Sequence, residues 1–376
     1  MSVRILHFAD LHLDKAFTDL ATTSPDIATR RRVDLRRVLT RIVDLAIDLN
    51  VNYLTVGGDL YEHERLSFDT GAFIRAEFER AQPITIVIAP GNHDPFTIDS
   101  LYQRGPWPSN VRIASAPTIQ LIAEGKGVYL YTAAHPNPSF FDDIVQGTQV
   151  ETPGPNVLIL HGSDRTAVPP GVDSYCPLSP VDCAKAGFDL ALLGHYHACY
   201  ERQAGSLTLA YPGSPDPLGF GEAGPHYALL AEIDGEQIRL SRHPTHVADY
   251  RAGELDVSGA RSSSDVEQMV ARWAQSQATQ EAFVRLTLVG TVPQSLDLDV
   301  AAIRMACEDH SAFMDLRVET DLEPEIDPDE PTVRGTFVRK MQHLMDQATN
   351  EDERQELENA LLYGLAALEG REIRAR

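Results

Sequence analysis

The protein is a chain of 376 residues, of which 43% are apolar and 23% charged. This length suggests two or three domains, and the composition argues against a mainly disordered or fibrous chain. The charge is unbalanced, with 32 lysines and arginines against 55 aspartates and glutamates and a formal net charge of -23. Such a surface repels nucleic-acid phosphates, so nucleic-acid binding requires locally focused positive charge, bound metals or a partner.

Cysteine usage and hydropathy indicate the compartment. The four cysteines are irregularly spaced and include no Cys-x-x-Cys pair, so a disulfide framework is not expected. No stretch approaches the roughly 18 uninterrupted apolar residues of a membrane span, and the N-terminus lacks the features of a signal peptide. We expect a cytoplasmic protein with no membrane association.

Strand-like and helix-like patterns alternate along residues 1–250. Helical spacing predicts helices over Arg30–Leu49 and Phe68–Ala81. Short apolar runs predict strands at Val3–Ala9, Tyr53–Val56, Ile84–Ala89, Val128–Ala133, Val157–Leu160, Leu190–Leu193, Leu207–Tyr211, Tyr227–Ile233 and Gln237–Ser241. The alternation predicts one α/β layered domain over 1–250, with later hairpins completing the sheet.

A small α/β domain is predicted over residues 258–322, after a polar segment. Ser264 and Glu267 fit a capping box that opens a helix. Strand Phe283–Val289, helix Val300–Cys307 and strand Phe313–Glu319 follow. The acidic stretch Asp321–Pro331 is interpreted as a linker.

Residues 333–376 predict a helix pair that turns at Thr349–Asp352. Each helix has an apolar stripe, one formed by Phe337, Val338, Met341, Leu344 and Met345 and the other by Leu357, Leu361, Leu365 and Leu368. The sequence does not decide whether these stripes pack against the body of the protein or against a partner protein.

Five polar segments each follow an apolar strand. They are Asp10-Leu11-His12, Gly57-Gly58-Asp59, Gly91-Asn92-His93-Asp94, His161-Gly162 and Gly194-His195-Tyr196-His197. Ligands of open α/β sheets gather outside the carboxyl ends of the strands, so five such ends can converge on one site. Asp-x-His or Gly-Asp alone is usually structural, but all five in this order predict a functional site.

Seven residues in these segments carry metal-ligating groups: Asp10, His12, Asp59, Asn92, His161, His195 and His197. Seven ligands are too many for one tetrahedral zinc and suit two ions that share a carboxylate. Imidazole with carboxylate favours manganese, iron or zinc. Two ions roughly 3.5–4 Å apart suit phosphoryl transfer, because they clamp both the attacking and the leaving oxygen.

The five segments together resemble the calcineurin-like metallophosphoesterase superfamily. Within it, Ala9-Asp10-Leu11-His12-Leu13-Asp14 and Tyr211-Pro212-Gly213-Ser214-Pro215 are similar to SbcD-type DNA repair exonucleases, especially their YhaO-like bacterial branch. The resemblance implies a layered sandwich of sheets flanked by helices, followed by a small α/β cap domain and C-terminal helices.

The resemblance also implies roles for the site residues. One ion would be held by Asp10, His12, Asp59 and His197, and the other by Asp59, Asn92, His161 and His195. A metal-bridging hydroxide would attack the phosphorus of the phosphodiester, and His93 would donate a proton to the leaving oxygen. Two divalent ions are expected as cofactors, manganese first, with iron, zinc or magnesium as alternatives.

The implied partners are DNA, bound weakly by this chain alone, and an SbcC-like or YhaN-like coiled-coil ATPase that binds the C-terminal helices. By the same resemblance the cap domain would direct a DNA end toward the metals. A homodimer is also open.

Three features bear on nuclease activity. Asp14 stands where the family often has glycine, which places an extra carboxylate near the mouth of the site. Glu62 stands where many relatives have histidine, and whether the adjacent His63 takes that role is open. A dense basic run on the first predicted helix is interpreted as a solvated face, ahead of a DNA-backbone contact: Arg30, Arg31, Arg32, Arg36, Arg37 and Arg41.

Two rival functions remain beside a repair exonuclease or endonuclease. One is a metallophosphatase or phosphodiesterase acting on a small phosphate ester or cyclic nucleotide. The other is a non-catalytic subunit that tethers an ATPase partner.

Overall fold

The computed structural model describes residues 2–21, 24–169, 171–277, 281–293, 296–308, 310–322, 328–368 and 370. By its internal contacts the chain divides into two compact units, Met1–Arg251 and Ala252–Arg376. The finer domain boundaries given above stay predictions. Every helix in the described part of the chain is too short or too polar to cross a membrane.

The described residues form fifteen strands and eight α-helices. The strands are β1 (Val3–Phe8), β2 (Tyr53–Val56), β3 (Thr85–Ile88), β4 (Val111–Ile113), β5 (Gln120–Gly125), β6 (Val128–Thr132), β7 (Asn156–His161), β8 (Leu190–Gly194), β9 (Tyr200–Ala204), β10 (Leu207–Tyr211), β11 (Tyr227–Asp234), β12 (Gln237–Pro244), β13 (Asp249–Asp256), β14 (Ala282–Val292) and β15 (Phe313–Leu322). The helices are α1 (Thr18–Ala21), α2 (Pro25–Asp48), α3 (Thr70–Arg80), α4 (Pro180–Ala186), α5 (Ser263–Gln277), α6 (Val300–Glu308), α7 (Val333–Asp346) and α8 (Glu351–Leu368).

Two six-stranded sheets build the first unit. Their strand orders are β12-β11-β1-β2-β3-β4 and β5-β6-β7-β8-β10-β9. Strands β1 to β4 run parallel, as do β6, β7, β8 and β10. One apolar core contains residues of both sheets, among them Ile5, Val87, Leu130, Ile159 and Leu192. The predicted α/β sandwich of sheets flanked by helices is confirmed.

Strands β4, β5, β9 and β13 are absent from the sequence prediction. Strand β5 (Gln120–Gly125) and strand β9 (Tyr200–Ala204) lie at the two edges of the second sheet, and no residue of either is buried. Edge strands of this kind lack the apolar run or alternation on which the prediction depends.

Helix α2 begins five residues earlier than predicted, because Pro25 occupies its first turn, where a missing N–H has no effect. The interpretation of its arginines as a solvated face is wrong for Arg31, which is fully buried. Its guanidinium donates to Asp216 Oδ2 at 2.6 Å and to Asp34 Oδ2 at 3.1 Å. Arg36 donates to Asp69 and Arg37 to Asp34. Much of this basic run is therefore engaged in internal ion pairs.

The second unit contains a three-stranded sheet, β13-β14-β15, whose core also includes residues of α5 and α6. Helix α5 starts one residue before Ser264. Its cap is instead Ser262, whose Oγ accepts from Asp265 N at 3.2 Å while Ser262 N donates to Asp265 Oδ2 at 2.9 Å. Part of the predicted linker, residues 323–327, lies outside the described residues.

Helices α7 and α8 form the predicted pair. Their apolar stripes pack against each other in one cluster that contains Val338, Met341, Leu361 and Leu365. The two stripes therefore pack on each other, whereas the sequence prediction allowed only for packing on the body of the protein or on a partner protein. Residues 369 and 371–376 of this predicted segment lie outside the described residues.

Candidate metal centre

The loops that follow β1, β2, β3, β7 and β8 meet at one edge of the sandwich. Asp10 N donates to Gly58 O at 3.0 Å and His12 N to Asp59 O at 2.9 Å, so the first two loops continue the pairing of β1 with β2. Asp10, His12 and Asp59 have φ values of 57°, 52° and 52°, a conformation that non-glycine residues rarely adopt. Strained backbone of this kind, held by surrounding structure, clusters at functional sites.

Two glycines allow the loops to approach this closely. A Cβ on Gly58 would lie 2.4 Å from His161 Nδ1, and a Cβ on Gly91 would lie 2.3 Å from Asp59 Oδ1. Any side chain at either position would displace a predicted ligand. The glycines therefore serve close packing of ligand side chains as well as the turns themselves.

Asp59 occupies the centre of the site and is 2% exposed. Its Oδ2 lies 3.6 Å from His12 Nε2 and 3.4 Å from His161 Nε2. Its Oδ1 accepts from His93 N at 2.9 Å. Burial opposes its ionisation, but the charge of His93 and the hydrogen bond from His93 N hold the pKa of Asp59 below its usual range. Asp59 is thus an anionic carboxylate between two imidazole nitrogens.

The two imidazoles on either side of Asp59 present lone pairs to it. His161 Nδ1 donates to Gly57 O at 2.8 Å, and burial holds the pKa of His161 well below its usual range. The neutral ring therefore leaves Nε2 unprotonated, yet Nε2 lies 2.9 Å from Asn92 Oδ1, another acceptor. His161 Nε2, Asn92 Oδ1 and Asp59 Oδ2 are thus three acceptor atoms with no proton between them. Such a group is suited to binding a cation.

His12 has the same arrangement. Its Nδ1 donates to Glu62 Oε1 at 2.9 Å, and burial lowers the pKa of its ring. Its Nε2 is buried with no hydrogen-bond partner. A buried polar atom without a partner is costly, and a metal ion bound to its lone pair would satisfy it.

Asp10 and His197 lie beside His12. Ligand atoms of Asp10, His12 and His197 lie within 4.8 Å of one another, and so do those of Asp10, Asp59 and His161. Burial, with the nearby Asp59 charge, raises the pKa of Asp10 to about 7, although His197 opposes the shift. Two buried carboxylates this close favour a cation between them.

Asn92 and His195 are less tightly gathered than the other predicted ligands. Asn92 reaches the site through the contact with His161 described above. The His195 ring centroid lies 5.3 Å from that of His161, and its Nε2 donates to Asp173 O at 2.8 Å. His195 is absent from the groups of close ligand atoms found among the described residues.

Two glutamates belong to the site although neither was predicted as a site residue. Glu62 accepts from His12 and, through Oε2, from His93 Nδ1 at 2.9 Å. Glu222 Oε1 accepts from His197 Nδ1 at 2.7 Å, and its Oε2 accepts from Ser214 Oγ at 2.7 Å. Carboxylates in this position fix the tautomer and orientation of ligating imidazoles.

His93 is held as a cation by its surroundings. Burial opposes protonation, but the hydrogen bond to Glu62 and the charge of Asp59 raise the pKa of His93 to about 9. His63 Nε2 instead lies 3.5 Å from Asp99 Oδ2. Glu62, and not His63, is therefore hydrogen-bonded to the His93 ring.

Asp94 and Asp14 support the loops. Asp94 accepts from the backbone of Gly91, Asp59 and Leu60 and from Tyr102 Oη at 2.6 Å. Asp14 Oδ2 accepts from Ser67 N at 2.7 Å and from Thr70 Oγ1 at 2.6 Å. Through this oxygen Asp14 anchors the start of α3.

The centre opens into a cleft of about 670 Å³ whose walls include Asp59, Asn92, His93, His195 and His197. This volume is within the range of small-molecule and cofactor sites.

Residues 3–199 match the family model described as calcineurin-like phosphoesterase. The Bacillus subtilis (strain 168) protein named "Uncharacterized metallophosphoesterase YhaO" is 25% identical over 300 residues, which cover 77% of this chain and 72% of that protein. A solved structure from Thermus thermophilus is 14% identical, with a TM-score of 0.39, over 64% of this chain and 99% of the other. A dimetal phosphatase from Danio rerio is 10% identical, with a TM-score of 0.40, over 65% and 96%.

Proposed function

Because the chain belongs to the calcineurin-like phosphoesterase family, we propose that it is a two-metal phosphodiesterase that cleaves DNA, as a repair exonuclease or endonuclease. Membership confirms the predicted resemblance and makes the protein a metallophosphoesterase hydrolase. The observation that carries the two-metal proposal is the Asp59 carboxylate, whose Oδ2 lies between His12 Nε2 and His161 Nε2.

The donor set supports two divalent ions, of which manganese is the proposed metal. Asp10, His12, Asp59 and His197 would hold one ion, and Asp59, Asn92, His161 and His195 the other. Mixed nitrogen and oxygen donors suit manganese, iron or zinc. When bound, such ions neutralise charge on the phosphate and activate water for attack.

The chain's own residues complete the proposed reaction. Against the effect of burial, Glu62 and Asp59 raise the pKa of His93 to about 9, and His93 is the proposed donor of a proton to the leaving oxygen. Glu62 holds His93 through Nδ1, so Nε2 is the ring nitrogen that would donate the proton. The same carboxylate orients His12, so one residue couples the geometry of the proton donor to that of the metal centre.

The choice of DNA over a small phosphate ester rests on the two segments that resemble SbcD-type nucleases. Their contacts support a role at the site. Tyr211 Oη donates to Gly162 O at 2.8 Å and accepts from Asp164 N at 2.8 Å, which fixes the loop after His161. Ser214 holds Glu222 and thereby His197.

We further propose a cytoplasmic location and a coiled-coil ATPase of the SbcC-like or YhaN-like type as partner, with a homodimer as an alternative assembly. The apolar stripes of helices α7 and α8 pack against each other. Val333, Leu344 and Leu368 nevertheless keep 76%, 45% and 48% of their surface exposed. These side chains are the proposed contact with the partner. Pull-down of the ATPase with the full chain and with Leu344→Glu tests this.

A nuclease assay tests the proposed function. With Mn²⁺, the wild type is expected to cleave linear duplex or single-stranded DNA, and His93→Ala to lose about 100-fold or more of the rate. Bis(p-nitrophenyl) phosphate is the control, because its leaving group needs little protonation and His93→Ala should slow it less. Hydrolysis of small esters without DNA cleavage, alone or with the partner, contradicts the choice of DNA.

A further inference from the structure

A second cleft, of about 460 Å³, opens beside the proposed proton donor. Its walls include Glu62 and His93, so the cleft shares a border with the metal centre. The volume suits a small-molecule site. Whatever occupies this cleft lies next to the leaving oxygen.

The floor of the cleft is aromatic and rigid. Phe17 and Tyr250 are buried, at 6% and 3% exposure, and the ring of Phe220 packs edge-to-face on Tyr250 with centroids 4.9 Å apart. The guanidinium carbon of Arg31 lies 5.2 Å from the Phe17 ring centroid and 5.4 Å from that of Tyr250. Because Arg31 is itself fixed by Asp216, the two rings are held in place before any ligand binds.

Two cations line the same cleft. Lys15 is half-buried and Arg65 is exposed. Neither side chain has an ion pair or hydrogen bond within the described part of the chain, whereas Arg31, Arg36 and Arg37 are all paired. The protein has a net charge of -23, so two unpaired cations at one cleft make this part of the surface locally more positive than the whole. They favour an anionic ligand there.

The carboxylates at the cleft do not cancel this preference. Glu62 accepts from both His12 and His93, so each of its oxygens is already engaged inside the protein. Asp19 lies in an exposed part of the wall, where solvent screens it. The cleft thus combines an aromatic floor with a cationic rim.

We infer that this cleft binds the nucleotide on the leaving-group side of the scissile phosphate, in single-stranded form. The inference rests on the proposed function. An unpaired base would pack against Phe220, the half-buried ring of the wall, because such packing requires a base free of its partner strand. Lys15 and Arg65 would hold the neighbouring phosphate. The side is set by His93, the donor to the leaving oxygen, which forms one wall.

Binding of fluorescein-labelled oligothymidine to the full-length chain, measured by anisotropy in EDTA, tests the inference. The double variant Lys15→Gln/Arg65→Gln should raise Kd about tenfold. It should also reduce the magnitude of the slope of log K against log salt by about 1.4, because each of the two cations contributes about 0.7 on single strands. Lys126→Gln/Lys185→Gln is the matched control, since both side chains are exposed, lie outside the cleft and remove the same charge. An abasic oligonucleotide of equal length should bind the wild type more weakly than oligothymidine.

Equal effects of the two double variants, equal binding of abasic and thymidine strands, or no binding by the wild type would each overturn the inference. Mn²⁺-dependent hydrolysis of bis(p-nitrophenyl) phosphate separates it from the proposed function. If the wild type hydrolyses neither this ester nor DNA, the proposed function fails. If the ester is hydrolysed at the wild-type rate by all variants while the DNA Kd is unchanged, only the cleft assignment fails.

Discussion

At the scale of single residues, the site combines side chains that sequence motifs identify with side chains that only the fold brings in. The seven predicted ligands and His93 lie at or just after the carboxyl ends of strands, so short local motifs were sufficient to propose them. Glu62 and Glu222 contact histidines 31 and 25 residues away along the chain. The paths of the intervening loops create these contacts, and no periodicity in the sequence encodes them.

Glu62 gives a prediction at this scale. Glu62→Gln keeps the side-chain volume but removes the charge that orients His12 and His93. We expect kcat for a phosphodiester to fall about 10–100-fold. Glu64→Gln, on an exposed neighbour, is the control and should leave kcat unchanged. Full activity of Glu62→Gln would show that the hydrogen bonds to Glu62 are incidental.

A second residue-scale prediction concerns acid stability. Burial lowers the pKa of His7 to about 4, from 6.5, and its ring contacts Thr55 Oγ1 at 2.9 Å. Between these values the unfolded chain binds the proton and the folded chain does not, so His7 costs stability as pH falls from 6.5 to 4. The loss is about 3 kcal/mol when complete.

His7→Gln removes this titration while retaining a polar group opposite Thr55. The free energy of unfolding in urea, measured with EDTA at neutral and acid pH, should therefore fall less steeply with acid in the variant than in the wild type. Parallel pH profiles would show that His7 is not buried in its neutral form.

At the scale of elements, central strands were predictable and edge elements were not. β2 and β10 match their predicted bounds because both strands are buried along their whole length and mostly apolar. β5 and β9 are polar and lie at sheet edges, so pairing with a neighbouring strand defines them. The start of α2 at Pro25 and the cap of α5 at Ser262 depend on local backbone geometry. Sequence alone does not identify the capping residue of α5, because several neighbouring serines could each fill that position.

Helix α2 supplies the prediction for this scale. Arg31→Met removes a buried guanidinium and leaves the Asp216 carboxylate uncompensated at 0% exposure. We expect a loss of about 3–5 kcal/mol in the free energy of unfolding. Arg37→Met lies on the same helix and removes an exposed guanidinium from the buried Asp34, which keeps its pair with Arg31, so the loss should be about 0–1 kcal/mol. Similar losses in both variants, measured by urea unfolding, would contradict a structural role for Arg31.

At the scale of the whole molecule, the net charge of -23 requires that phosphate binding be local. The carboxylates of Asp10 and Asp59 contribute to that negative sum, yet they are the groups best placed to hold cations that reverse the field at the site. Composition alone could not locate this reversal, because it depends on which acidic side chains the fold buries together. The proposed function therefore predicts weak DNA binding by the isolated chain, strengthened by metals and a partner.

The two-metal centre is tested most directly by calorimetric titration of the metal-free protein with Mn²⁺. The wild type is expected to bind two ions per chain, and Asp59→Asn to lose the two-site isotherm, since its carboxylate is the shared ligand. Asp99→Asn, an exposed carboxylate away from the predicted ligand set, is the matched control and should bind two. A wild-type stoichiometry of one or zero, or two unchanged sites in Asp59→Asn, would contradict a centre built around Asp59.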